Sequence, residues 1–167
     1  MWAHRKQYGF TIVELLIVIV VIGILAAITI VAYNGVQNKA NDTAVQADLR
    51  NFVNSARAKY TTGTITVYPA GNDTDLGGIK FGFNRNAYDG TTGALLYCVN
   101  SSGTYMVIHG RSASGNQYYY TSDGVSGTTT DAFNGFAALC SAFTSQTTST
   151  YARYGKTSGV WNSWTSN

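Results

Sequence analysis

Glu14 is the residue with the most chemistry to explain. It is the only charged residue between Lys6 and Lys39, and it stands inside an apolar run that begins at Phe10. A carboxylate in a hydrocarbon environment is costly and marks a functional residue by default, with snorkelling to the headgroups or protonation as the plain alternatives. The other reactive side chains are scattered. His4 and His109 are too far apart to share an ion, no C-x-x-C or H-E-x-x-H spacing occurs, and no nucleophile elbow marks a Ser, His and Asp grouping. Asp73 and Asp75 suit a turn better than a calcium loop. No catalytic residue, metal site or cofactor is expected. Asn41-Asp42-Thr43, Asn72-Asp73-Thr74 and Asn100-Ser101-Ser102 match the short glycan-acceptor pattern. The run Tyr118-Tyr119-Tyr120 invites thoughts of stacking on a ligand, but consecutive strand residues alternate faces and serve core and sheet pairing.

The elements that must position Glu14 are legible in the composition. The 167 residues suffice for one domain. Only 11% are charged and the formal net charge is +3, which excludes a polybasic nucleic-acid binder, while 45% hydrophobic content and a single Pro exclude a disordered chain. Phe10 to Ala32 is about 23 residues, a helix of ~34 Å against a hydrocarbon layer of ~30 Å. A chain this small has no second layer able to cover such a helix all round, so it reads as a single membrane span. Arg5 and Lys6 precede it and no Lys or Arg follows until Lys39, which keeps the N-terminus cytoplasmic and exports the remainder.

Beyond the span, Val45, Leu49, Phe52, Val53, Ala56 and Tyr60 recur on a helical period, with polar residues between them. The helix is expected to continue to about residue 62, with Asn34-Gly35 as the one plausible hinge near the membrane exit. If that hinge stays helical, Phe10 to Tyr60 is one rod of ~76 Å. Strand-length runs follow at Thr64–Tyr68, Ile79–Phe83, Ala94–Val99, Thr104–His109 and Gln117–Thr121. The last three predict an antiparallel meander laid on the amphipathic half of the helix. A segment from Asp131 to about Ala142 is ambiguous between helix and strand. Cys98 and Cys140 both fall in the exported part, where an oxidising compartment favours their bond over two free thiols. That bond would close a loop of roughly 43 residues, valued at ~4 kcal/mol in the chain-entropy picture. The expected fold is therefore α+β: a leader at 1–9, a long helix at 10–62 that crosses the membrane to about residue 32, and an exported β-rich head at 63–167 with one disulfide.

The residues Gly9-Phe10-Thr11-Ile12-Val13-Glu14-Leu15, continuing as LIVIVVIGILAAI to Ile28, resemble the N-terminal signature of the type IV pilin family. A basic leader ending in Gly, an aromatic residue after it, a Glu four residues on and an uninterrupted apolar helix coincide. The resemblance implies cleavage after Gly9 by a membrane-embedded prepilin peptidase, leaving Phe10 as an N-terminus that is usually methylated. It also implies that Glu14 pairs with the N-terminal amine of a neighbouring copy as helices gather into a filament core. Many members carry Pro where this chain has Val31; without it, any melting of Gly23 to Val31 rests on Gly23 and Thr29, and continuous helix is an open alternative.

The function so implied is a structural subunit of a type IV pilus, serving surface adhesion or twitching motility. It would be a single-pass cytoplasmic-membrane protein before assembly and part of a filament on the bacterial surface afterwards. Its partners would be further copies of itself, the peptidase, the pilus assembly platform protein and the membrane. Two other readings compete. One is a pseudopilin of a type II secretion or DNA-uptake system, and the other is a bitopic surface-binding protein that never polymerises. An enzyme is not expected, and loss of Arg5 and Lys6 leaves the exported part close to neutral, with no electrostatic case for nucleic acid as ligand. An ordinary secretory signal cut after Ala26-Ala27 is disfavoured by Glu14 and by the apolar run that continues past those alanines.

Overall fold

A computed structural model describes residues 9–70, 76–79, 82–90, 93–130, 140–141, 143, 150–154, 156–157 and 160–161. The chain forms two units, Met1–Gln37 and Asn38–Asn167. Helix α1 (Ile12–Thr61) contributes to both and runs for 50 residues. It is unbroken through Gly23, Val31 and Asn34-Gly35. A Gly inside a helix costs only ~1 kcal/mol, and no Pro removes a hydrogen bond, so neither candidate hinge interrupts the ladder. Thr29 donates its hydroxyl back to the Ala26 carbonyl at 2.9 Å.

In the first unit every described residue is exposed, with the apolar side chains of Ile12 to Val36 facing outward on all sides. In the second unit α1 carries the expected stripe. Val45, Leu49, Phe52, Val53 and Ala56 are buried and Tyr60 is partly so.

The sheet beneath the stripe has five strands: β1 (Leu95–Val99), β2 (Met106–Arg111), β3 (Gln117–Thr121), β4 (Ser126–Thr128) and β5 (Thr150–Tyr154). All pairs are antiparallel and the spatial order is β4-β3-β2-β1-β5. Two further short strands, β6 (Lys156–Thr157) and β7 (Val160–Trp161), pair separately. Alternation sends Leu95, Tyr97, Val99, Met106 and Ile108 toward α1, where Phe52 meets Tyr97 edge to face at 5.9 Å. It sends Leu96, Cys98 and Val107 to the outer face, where Cys140 and partly buried Tyr119 and Phe143 cover them. All five residues of β1 are buried, as expected of a strand covered on both faces. The tyrosine run divides as its period requires: Tyr118 and Tyr120 pack toward α1 and Tyr119 toward the outer face.

Gly110 of β2 fixes how closely helix and sheet approach. A Cβ there would lie 3.0 Å from Val45 Cγ1 and 3.2 Å from Leu49 Cδ2. Only a bare backbone lets the stripe settle at this depth.

Two expected strands are corrected. Thr64–Tyr68 is irregular: the Ile65 N–H goes back to the Lys59 carbonyl at the helix end, and the Tyr68 N–H reaches the Gly103 carbonyl at 2.7 Å. Those donors are satisfied without a ladder. The described part of Ile79–Phe83 is likewise irregular, and buried Ile79 and Phe83 fill core without pairing. The second meander strand starts at Met106 rather than Thr104, because Asn100 accepts from the Thr104 and Tyr105 amides and holds both in the preceding turn. β4 and β5 lie where no strand was expected. Residues 131–139 of the ambiguous segment, together with Asn72, Asp73 and Asp75, lie outside the described residues.

Candidate functional site

The first unit builds its site at the start of α1. Gly9, Phe10 and Thr11 precede the helix, which begins at Ile12. Thr11 sits at the N-cap position and Glu14 three residues later, and they satisfy each other. The Thr11 N–H and Oγ–H both donate to Glu14 Oε2 at 2.8 Å, and the Glu14 N–H donates to Thr11 Oγ1 at 3.2 Å. This reciprocal pair is a capping box, which satisfies backbone N–H groups that a helix start leaves without intrahelical acceptors. A negative charge here also complements the positive end of the helix dipole. Glu14 is therefore bonded within its own chain, and its carboxylate remains open to further donors because the side chain is exposed.

Thr11 was not singled out by the sequence analysis, although T-x-x-E ahead of an apolar run is the standing signature of such a cap. Among the described residues Phe10 is 92% exposed, and a Cβ built on Gly9 would meet no atom within 4 Å. Gly23 lies mid-helix, where an added Cβ would meet no described atom within 4 Å beyond the adjacent helical backbone. Gly9, Phe10 and Glu14 thus gather at one helix end, and Gly23 does not join them.

The head holds different chemistry. Cys98 of β1 and Cys140 are joined in a disulfide with Cα atoms 5.5 Å apart. Among the described residues no group of three or more His, Cys, Asp and Glu could hold a metal ion. Asp42 on α1 clamps the β2–β3 turn. Its carboxylate accepts from the Ser114 hydroxyl and, at 2.8 Å, from Asn116 Nδ2. Burial pushes this carboxyl up, yet the hydrogen bonds from Ser114, Ser112, Asn116 and Tyr118 outweigh it and hold the group below its usual range.

Asp48 shows the opposite balance. Burial raises it more than the Asn84 N–H at 3.0 Å and the Tyr88 hydroxyl lower it. Further along the same helix, Arg50 donates two bonds to the Tyr120 hydroxyl, at 3.0 and 2.9 Å, with its guanidinium over the ring. These polar clamps position the head on the helix and none of them carries a reacting geometry.

With this geometry in view, comparison with known proteins is informative about one end of the chain. Residues 4–30 match the family described as the prokaryotic N-terminal methylation motif. The chain is 41% identical over 72 residues to fimbrial protein Q of Moraxella bovis, covering 42% of this chain and 46% of that protein. It is 49% identical over 49 residues to the type IV wide pilus major component PilA4 of Thermus thermophilus, covering 29% and 37% respectively. A third relative, the type IV major alpha-pilin of Moraxella bovis, is 51% identical over 45 residues, or 27% of this chain and 28% of its own length. The matches span less than half the length of each of these relatives. No solved structure matches the chain. The resemblance to type IV pilins is borne out by these matches.

Proposed function

We propose that this chain is a structural subunit of a type IV pilus, cut between Gly9 and Phe10 and assembled through α1. The observation that carries the proposal is the coincidence of a capped, all-round apolar helix with a methylation-motif match over the same residues. Among the described residues nothing covers the apolar surface from Ile12 to Val36, so it needs either lipid or copies of itself as its surroundings. A lipid-embedded precursor that passes into a helical filament meets both needs in turn.

In this scheme Arg5 and Lys6 hold the leader on the cytoplasmic side, and a prepilin peptidase hydrolyses the Gly9–Phe10 bond. Water adds to the Gly9 carbonyl, the C–N bond breaks, and the amine of Phe10 leaves as an ammonium. The new cation sits beside the positive end of the α1 dipole, where it is poorly placed. Glu14 of a neighbouring copy supplies the compensating charge as the helices leave lipid, and the platform protein moves the subunit outward. Pairing two groups that are each costly in an apolar core sets axial register more than it supplies net stability. The continuous helix through Gly23 supports entry as an intact helix. The exported head, stapled by Cys98–Cys140, would form the filament surface and serve adhesion or twitching motility.

Intact mass and N-terminal sequencing of exported material test the first step: the mature chain begins at Phe10, and a start after Ala27 would sink the proposal. Electron microscopy tests the second, with surface filaments that disappear on deletion of the gene. A pseudopilin shares the N-terminal chemistry and differs by a short filament confined to the envelope, which the same micrographs distinguish.

A further inference from the structure

Within the second unit the two flanks of α1 are finished differently. On one flank Asp48 accepts from the Asn84 N–H and the Tyr88 hydroxyl, and Lys59 donates to the Gly78 carbonyl at 2.8 Å, so connecting chain is bonded to the helix there. The other flank looks toward β3 and β4. Arg50 and Arg57 stand on it, both exposed, seven residues or about two helical turns apart, a rise of ~10.5 Å. Arg50 donates to the Tyr120 hydroxyl, and a Cβ on Gly124 of the β3–β4 turn would lie 3.7 Å from Arg57 Nη1. The sheet extends past the helix on this side. Tyr118 and Tyr120 face α1 and are partly buried, while their partners on β4, Thr128 and Ser126, share that face and are exposed. A guanidinium wall and a floor of tyrosines and hydroxyls meet in a corner.

We propose that this corner of the head binds an acidic glycan, with uronate carboxylates on Arg50 and Arg57 and sugar rings laid along Tyr118, Tyr120, Ser126 and Thr128. The proposal names a ligand class for the surface adhesion proposed above, and rests on that reading for the display of the head outside the cell.

Among the described residues neither guanidinium has a carboxylate within ion-pair distance; the ion pair of this unit joins Arg111 to Asp89 instead. The other described carboxylates are committed elsewhere. Asp42 holds the β2–β3 turn, Asp48 serves the opposite flank, and Asp123, next to Gly124, accepts from the Thr121 hydroxyl. Neutral groups hold Arg50 in place. Its Nε and Nη2 bond the Tyr120 hydroxyl, which leaves Nη1 without an acceptor among the described residues. A guanidinium fixed in advance loses less freedom on meeting a carboxylate, whose two oxygens match its planar fork.

The floor selects among anions. Tyrosine offers an apolar ring with a polar tip, which suits a pyranose with its C–H face and hydroxyl rim, and the Ser126 and Thr128 hydroxyls both donate and accept. Nucleic acid is served less well: its affinity comes from many phosphate contacts made together, and two arginines on a chain of net charge +3 supply few. An acidic polysaccharide carries its charge more sparsely, and a pair of cations two helical turns apart meets carboxylates on separate rings. Weak capture by one head is multiplied where many copies stand on one filament.

The test uses the full chain in non-ionic detergent micelles on beads carrying alginate, a polymer of uronic acids, beside neutral dextran beads and oligothymidylate beads. The wild type is held by alginate at low salt and passes through dextran. Arg50→Gln and Arg57→Gln each weaken that retention about tenfold, as loss of one hydrogen-bonded charge contact does. Ser126→Glu leaves both arginines in place, sets a carboxylate in the corner and abolishes retention. Arg85→Gln removes the same charge beside Asn84 on the opposite flank and changes nothing. Absence of wild-type retention, retention that survives Ser126→Glu, or equal losses for Arg85→Gln and Arg50→Gln overturns the proposal. Oligothymidylate held as firmly as alginate overturns it in favour of nucleic acid. None of these outcomes touches the filament reading, because the beads capture unassembled chains and the micrographs answer for filaments.

Discussion

Glu14 has two donors from Thr11 in the single chain, and that bonding separates what its substitution removes. Glu14→Leu takes away the cap and the charge together, whereas Glu14→Gln keeps an oxygen for the Thr11 N–H and removes only the charge. If register is set by pairing with the Phe10 ammonium, Glu14→Leu chains accumulate in the membrane as cut subunits while filaments vanish, and Glu14→Gln lies between. Fractionation with electron microscopy reads both, and filaments of Glu14→Leu alone at wild-type numbers would exclude pairing.

A second residue-scale prediction concerns Asp48, whose carboxyl is raised chiefly by burial. Its folded form holds a proton to higher pH than the unfolded form, so the fold loses stability as pH rises through that interval. Asp48→Asn, which keeps an acceptor for the Asn84 N–H and the Tyr88 hydroxyl, raises the melting temperature by up to a few degrees near neutrality and leaves it unchanged in strong acid. Equal shifts at both extremes would contradict the burial account. At this scale the sequence singled out Glu14 by its isolation among apolar residues, and T-x-x-E was readable but unread. His109 was not legible as a buried group, because one of the rings against it, Phe143, comes from more than thirty positions away.

Among the elements, the stripe on α1 was legible because a helical period repeats over sixteen residues and needs no partner to be seen. Strands β1 to β3 were legible because turn residues bracket them. β4 has three residues and β5 pairs across some fifty residues, so neither leaves a local pattern that outweighs its polar surroundings. Thr64–Tyr68 misled because β-branched residues fit an extended connection as well as a ladder.

The contact between α1 and β2 gives the clearest element-scale test. Gly110→Ala places a methyl against Val45 and Leu49 at distances that a packed core does not accommodate freely. It destabilises the head by ~1–3 kcal/mol in denaturant titration. A neutral result would show that helix and sheet separate easily. The disulfide acts between β1 and the outer cover: Cys98→Ser, Cys140→Ser and the double change each cost up to ~4 kcal/mol, equally rather than additively. Unequal single effects would point to a role for one thiol beyond the bond.

For the whole molecule, one exposed apolar unit and one unit with its own core imply different solubilities for the two. A fragment beginning at Asn38 keeps the stripe, the five strands and both cysteines. It should be soluble without detergent, unfold reversibly with its disulfide intact, and sediment as a monomer at concentrations where the full chain associates. Detergent-dependent solubility of that fragment would mean that the head exposes a further apolar surface.

The strand order also imposes a timetable. If the chain is exported as proposed, with its N-terminus held in the cytoplasm and the part after the span emerging first, β1 to β4 come out together and zip into a meander while residues 129–149 are still in transit. Until β5 arrives, the outer edge of β1, five apolar or aromatic and sulfur-bearing residues with every amide on that side unmet, stands open in the envelope. Cys98 meanwhile waits as a free thiol for Cys140. In that scheme slow translocation widens an interval in which two nascent heads can pair edge to edge or cross-link, and the speed of export counts as much as the stability of the folded head.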